Sequence, residues 1–223
     1  MLRYAFGERF TQVRESKVVS GLEYPQFYLT LSKSFAGVQK GEYDFSKIEA
    51  KIDHRFRWRG FGKTIVCLQG GIATGKIPYP YLFNDKGTRV VGSVNNSVVI
   101  NNYFQTMGLY EFVSDRYVYF FLNHHVGRLT STENKTFRPE LSIIQNIGYG
   151  ELRNAVRHEG LPFKTLEKGY FESGLVITNL VRFSYVNLIY IGLGGGVFYR
   201  YGHNAVEKES DNYAYKLALT FSF

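Results

Sequence analysis

Hydrophobic and polar residues alternate with a period of two along most of this chain, the spacing of β-strands with one face in an apolar and one in a polar surrounding. Between Gln26 and Phe35, the side chains of Phe27, Leu29 and Leu31 fall on one face and those of Tyr28, Thr30, Ser32 and Ser34 on the other. Between Leu141 and Gly150, Leu141, Ile143, Ile147 and Tyr149 alternate with Ser142, Asn146, Gly148 and Gly150. The division is sharpest from Tyr43 to Trp58. There Ile48, Ala50, Ile52, Phe56 and Trp58 share one face, while Lys47, Glu49, Lys51, Asp53, Arg55 and Arg57 make the opposite face wholly charged. Further strands are expected at Leu2–Phe10, Phe61–Thr74, Val98–Val113, Arg116–Val126, Gly169–Val181 and Ser184–Arg200, for a total of about ten with the C-terminal one.

Alternation alone does not say which face meets water. A soluble sandwich turns the charged face to bulk solvent, whereas a membrane barrel turns it to the lumen, where opposite charges pair across strands. The C-terminal segment favours the barrel. Tyr213, Tyr215, Leu217, Leu219, Phe221 and Phe223 form one face, with Ala214, Lys216, Ala218, Thr220 and Ser222 on the other. Chain ends of soluble proteins are commonly polar and frayed, so this run of large apolar groups calls for an apolar phase. Several expected strands also exceed the roughly five to six residues usual in soluble sheets and match the 9 to 11 or so of a tilted membrane strand. Tyr103, Tyr110, Tyr170, Tyr199 and Tyr213 lie near strand ends, where an interfacial aromatic girdle would sit.

Composition agrees with an all-β chain. The 223 residues include 18 Tyr, 19 Phe and 23 Gly but only 5 Pro and 2 Met. Mean hydropathy is −0.20, and the least polar stretch, Phe183 to Tyr199, is interrupted by Asn187 and three consecutive glycines, which weaken a helical span. The single Cys67 allows no internal disulfide. The net charge of +8 is scattered rather than clustered, so no nucleic-acid partner is expected. Met1 to Phe10 carries charge throughout and lacks the apolar core of an export signal, so a barrel reading expects an N-terminally incomplete chain.

Candidate chemistry is sparse. Gly70-Gly71-Ile72-Ala73-Thr74-Gly75-Lys76 resembles a phosphate-binding loop, but Ile77 replaces the hydroxyl that holds magnesium, and Pro78 and Pro80 forbid the helix that must follow. Gly192 to Val197 departs from a dinucleotide fingerprint at Val197 and reads as close backbone packing. His54, His124, His125, His158 and His203 lack metal-ligand spacing, and His124 and His125 must point to opposite faces of a strand. Glu111, Asp115, Arg116 and Glu172 read as charges bracing a barrel wall. Neither catalysis nor a cofactor is expected.

Tyr24-Pro25, Asp53-His54-Arg55-Phe56-Arg57, Ile77-Pro78-Tyr79-Pro80-Tyr81-Leu82 and above all Tyr110-Glu111-Phe112-Val113-Ser114-Asp115-Arg116-Tyr117-Val118, continued by Asn123-His124-His125, carry a family resemblance. On these blocks the chain resembles the C-terminal barrel of an uncharacterised outer-membrane family with an N-terminal carboxypeptidase-regulatory-like domain. More distantly, Met107 to Phe112, the closing segment Phe171 to Phe223, and Arg59-Gly60-Phe61 are similar to the bacterial surface antigen superfamily of BamA-type insertases and two-partner secretion transporters. In that superfamily Arg-Gly-Phe belongs to an inward-folded loop. The resemblance implies a 16-stranded type of barrel, of which this chain supplies part, and a terminal aromatic strand read by the barrel assembly machinery.

These readings combine into one expectation for residues 1–223: an antiparallel transmembrane β-barrel segment in the bacterial outer membrane, in contact with its lipid. Lys47, Glu49, Lys51, Asp53, Arg55, Arg57, Glu111 and Glu172 would face the lumen, and Tyr213, Tyr215, Leu217, Leu219, Phe221 and Phe223 would carry the assembly signal. The leading function is assistance in translocating or inserting a polypeptide or polymer. A passive or plugged structural barrel and a soluble small-ligand-binding barrel are the alternatives, the last with its faces reversed.

Overall fold

A computed structural model describes residues 1–13, 16–21, 24–37, 42–89, 98–130, 134, 136–153, 163–185 and 189–222. Fifteen strands form among them: β1 (Leu2–Ala5), β2 (Arg9–Val13), β3 (Ser16–Gly21), β4 (Gln26–Ser34), β5 (Phe45–Trp58), β6 (Gly62–Gly75), β7 (Phe83–Asn84), β8 (Gly87–Arg89), β9 (Phe104–Gly108), β10 (Val113–Ser114), β11 (Arg116–Arg128), β12 (Glu140–Glu151), β13 (Tyr170–Tyr185), β14 (Ile189–Tyr201) and β15 (Tyr213–Ser222). Nine of them make one antiparallel sheet in the order β1-β4-β5-β6-β11-β12-β13-β14-β15. Neighbours in this sheet follow one another along the chain, apart from the short strands inserted between them, so its contacts build up hairpin by hairpin. The sheet is open, with β1 and β15 at its edges.

The alternating segments became strands where the pattern ran unbroken, and departed from expectation where the backbone turns left-handed. Leu2–Phe10 divides into β1 and β2 at Gly7, whose φ of 60° and contact with the Tyr24 ring leave no room for a side chain. Val98–Val113 is not a strand of the sheet. Asn102 and Tyr110, at φ 61° and 57°, break it into the short β9 and β10. β13 runs on to Tyr185 through a bulge between Ile177 and Val181, with Asn179 at φ 57°.

Residues 76–89 and 98–115, between β6 and β11, form an inner segment that lies across one face of the sheet. Phe83, Phe104, Met107 and Phe112 from this inner segment pack with Tyr117, Tyr119 and Phe121 of β11, Cys67 and Ala73 of β6, and Tyr170 of β13 in the main core. Phe104 is the hub, with ring centroids 5.0 to 5.5 Å from those of Tyr119, Phe121 and Tyr170. A second cluster joins Ile144, Val176, Phe198, Ala214 and Ala218 under Val99. The inner segment also touches the free edge of the sheet, where Val99 donates its N–H to the Leu217 carbonyl at 2.8 Å.

The two faces of the sheet are therefore unequal. On the covered face lie Ser142, Asn146, Glu172, Arg200 and Lys216, all buried. On the open face Val118, Tyr215, Leu217 and Phe221 are each more than half exposed, and Ile48, Ile143 and Leu175 nearly so. The covered face carries buried polar and charged groups beside the apolar clusters, while the open face presents large apolar groups, unlike the polar outer face of a soluble sandwich.

Candidate functional site

Covered-face side chains of the sheet and the inner segment meet in a polar layer. Of the charged ladder on β5, Lys47 lies over the Phe83 ring at 4.2 Å. Glu49 accepts from the Tyr117 hydroxyl at 3.0 Å, and Lys51 pairs with Asp53 at 2.6 Å. Arg55 and Arg57, farther along the same face, are exposed and make no ion pair among the described residues. The ladder thus splits into a partnered half under the inner segment and a bare cationic half beyond it.

Glu172 projects from β13 into the layer and is fully buried. One carboxylate oxygen accepts from the Gln105 N–H at 3.0 Å and from the Asn146 amide at 2.8 Å. The other accepts from the Thr106 N–H at 2.6 Å and the Thr106 hydroxyl at 2.5 Å. With both oxygens saturated by donors, the group is an anchor for β9 rather than a free base. Thr106 is held in turn by the Tyr170 hydroxyl at 2.8 Å.

Glu111 is a second anchor. It sits in the turn after β9, where the Arg200 guanidinium reaches both its oxygens at 2.9 and 3.2 Å, the Gly108 N–H donates at 2.9 Å, and Lys164 adds a contact at 3.3 Å. Burial works to raise the Glu111 pKa, but Arg200, the Gly108 N–H and Lys164 outweigh it and hold the carboxyl below its ordinary value. Asp85, between β7 and β8, receives the Tyr119 hydroxyl. Burial first and the Glu111 charge second push its pKa well up. Arg153 clasps Asp115 at 3.0 Å and also donates to the Ala73 carbonyl.

The arrangement can brace the inner segment against the sheet. Among the described residues no cluster of three or more His, Cys, Asp or Glu could hold a metal. His124 and His125 do point to opposite faces, to Thr64 at 2.9 Å and Ser142 at 2.7 Å; His158 lies outside the described residues. Gly70–Gly75 is the end of β6 and leads to a single turn of 3-10 helix at Tyr79–Tyr81, not to the helix that a phosphate loop needs. In β14, a Cβ on Gly194 would stand 2.1 Å from the Ile177 carbonyl oxygen, which explains the glycine run by close backbone approach. Arg59-Gly60-Phe61 forms the tip of the β5–β6 hairpin with Phe61 exposed, and the inward-lying residues are 76–89 and 98–115 instead.

The structure brings Glu49, Lys47, Glu111 and Glu172 to the covered face near the inner segment, and Lys51 and Asp53 with them. Tyr215, Leu217, Leu219 and Phe221 stand exposed on the open face of β15, Tyr213 is half-buried at its start, and Phe223 lies outside the described residues. Reading the sequence missed Arg200, Asp85, Thr106 and Asn146. Arg200 had a signal: it alternates with buried Phe198 on a face that is otherwise glycine, in the last turn of β14. The others had none, because their partners are 26 to 67 residues away in the chain.

A family model described as the C-terminal domain of a family of unknown function, DUF5686, matches residues 1–133. No curated protein and no solved structure matches the chain.

Proposed function

The chain belongs to the DUF5686 family of unknown function, and from that premise we propose that it forms part of the wall of an outer-membrane β-barrel whose interior is occupied by its own residues 76–89 and 98–115. The observation that carries this reading is the inverted sheet. Apolar side chains at Val118, Leu217 and Phe221 stand on the open face while Glu172, Arg200 and Lys216 are buried opposite. An exposed apolar surface spanning nine strands is far larger than the few hundred Å² or so a soluble monomer tolerates, and lipid is the phase that removes the penalty. The lengths of β5, β6, β11 and β14, 14, 14, 13 and 13 residues, are ample for a tilted crossing. In this reading the exposed terminal strand β15 is presented to the barrel assembly machinery.

The occupied interior favours a plugged, structural barrel at rest. A second reading, assistance in translocating or inserting a polypeptide or polymer, is favoured by one feature: among the described residues one backbone hydrogen bond, Val99 to Leu217, joins the inner segment to the β15 edge, so a competing strand has little to displace. Refolding the purified chain in buffer and in detergent micelles, followed by circular dichroism and sedimentation, tests the membrane reading. A β spectrum that requires micelles is expected; a monodisperse β fold in buffer alone overturns it and leaves a soluble barrel. Planar-bilayer recording then separates the two functional readings. Silent membranes support the plug, and substrate-dependent opening supports translocation.

A further inference from the structure

The bare half of the β5 ladder continues across the sheet. Arg57 stands directly opposite Lys63 of β6, and Lys63 directly opposite His125 of β11, in one cross-strand row on the covered face. Arg55 lies in the next row, which runs through Ile65 to Asn123. Like charges placed directly opposite on a sheet face repel and destabilise it. Here no ion pair relieves Arg55, Arg57 or Lys63 among the described residues. The nearby Asp53 is already met by Lys51 at 2.6 Å. His125 meets Ser142 through Nδ1 at 2.7 Å.

The neighbouring row, Arg55, Ile65 and Asn123, lines a cavity of about 260 Å³ between the sheet and residues 99–105, so the cavity lies one row away from Arg57, Lys63 and His125. Its walls mix the amides of Gln26, Asn101, Asn102 and Asn123 and the Tyr103 ring with apolar side chains and the Asp53 carboxylate, which Lys51 already neutralises. The Asn123 side-chain oxygen is buried there without a hydrogen-bond partner, an uncompensated acceptor that a ligand hydroxyl would satisfy. Two guanidiniums and an ammonium that repel each other are matched by a doubly charged oxyanion, because guanidinium forks pair with phosphate oxygens. Neutral amides beside a ring suit a hydroxylated body.

We propose that Arg55, Arg57, Lys63 and His125, with the amide-lined cavity beside them, form a binding site for a phosphorylated sugar. The phosphate sits on the basic row and the sugar hydroxyls meet Asn123 and its neighbouring amides. The site does not depend on the membrane reading, since the covered face is polar whatever phase meets the open one.

Isothermal titration of the refolded chain, in whichever medium holds it folded, with glucose 6-phosphate, inorganic phosphate and glucose tests it. Glucose 6-phosphate is expected to bind more tightly than either fragment, and Arg55→Gln or Lys63→Gln to weaken it by about tenfold or more, the loss of one charge-assisted hydrogen bond. Without ligand, Lys63→Gln is expected to raise the unfolding midpoint by about 1–3 °C, because it removes a repulsion. Absence of glucose 6-phosphate binding overturns the site, and equal binding of inorganic phosphate overturns the sugar-recognising cavity. A Lys63→Gln chain that melts lower and binds normally shows the row to be structural and also overturns the proposal.

Discussion

Glu172 holds β9 to β13 through two backbone N–H groups, one hydroxyl and one amide. Removing it strands both N–H groups in a dry layer, so Glu172→Ala is expected to cost about 3 kcal/mol or more of unfolding free energy, measured by denaturant titration. Glu172→Gln retains an acceptor but aims an amide donor at other donors, and is expected to recover only part of the loss. Two carboxylates of the inner segment make opposite pH predictions. The folded-state pKa of Glu111 is depressed, so its stabilisation is complete above the ordinary glutamate value of about 4.3 and is lost as pH falls through the lower, folded value. The Asp85 pKa is raised, so its contribution is complete below the ordinary aspartate value of about 3.9 and fades as pH rises through the folded one. Unfolding midpoints taken across the acid range should show Glu111→Gln flattening the acid loss and Asp85→Asn flattening the loss on the alkaline side; the reverse assignment would refute both environments.

The strands were legible in the sequence because each needs only its own alternation. β5 is the clearest case: the charged positions Lys47 to Arg57 all fall on one face, as the pattern of two requires. The inner segment was not legible. Val98 to Val113 carries enough apolar residues to pass for a strand, and what diverts it is the left-handed turn at Asn102 and Tyr110, a conformation that no residue-type preference announces for tyrosine. The polar layer was half legible. Glu111 and Glu172 stood out as charges in apolar surroundings, and Arg200 carried a signal as a charge on a small-residue face, but which carboxylate Arg200 clamps and which one Thr106 caps follows only when distant strands align. The glycine run of β14 was read correctly as packing, and it yields a test at this scale. Gly194→Ala places a methyl against the Ile177 carbonyl of β13, so the hairpin must open at its bulge. A loss of about 1–3 kcal/mol is expected, and faster amide exchange confined to β13 and β14 would locate it there.

Nine alternating strands leave β1 and β15 running in the same direction at the two edges of the sheet. Direct closure of the sheet on itself would therefore make a parallel seam, whereas barrels of the proposed kind are antiparallel throughout and even in number. Closure takes an odd number of further strands, or a second copy that meets this one through β15–β15 and β1–β1 seams, both antiparallel under a two-fold axis. The edge itself argues for a partner: Tyr215, Leu217, Leu219 and Phe221 are exposed along β15, and among the described residues only Leu217 has its carbonyl engaged by the inner segment. A long apolar edge of this kind does not stay unpaired. The 223-residue chain alone in micelles is accordingly expected to associate, as read by native mass spectrometry. Leu217→Pro, which forbids edge pairing at that position by removing its N–H, is expected to shift it toward monomer without loss of the β spectrum. A stable monomer whose gel migration shifts on heating would mean that nine strands close unaided, and the parity argument would fail while the inverted sheet stood.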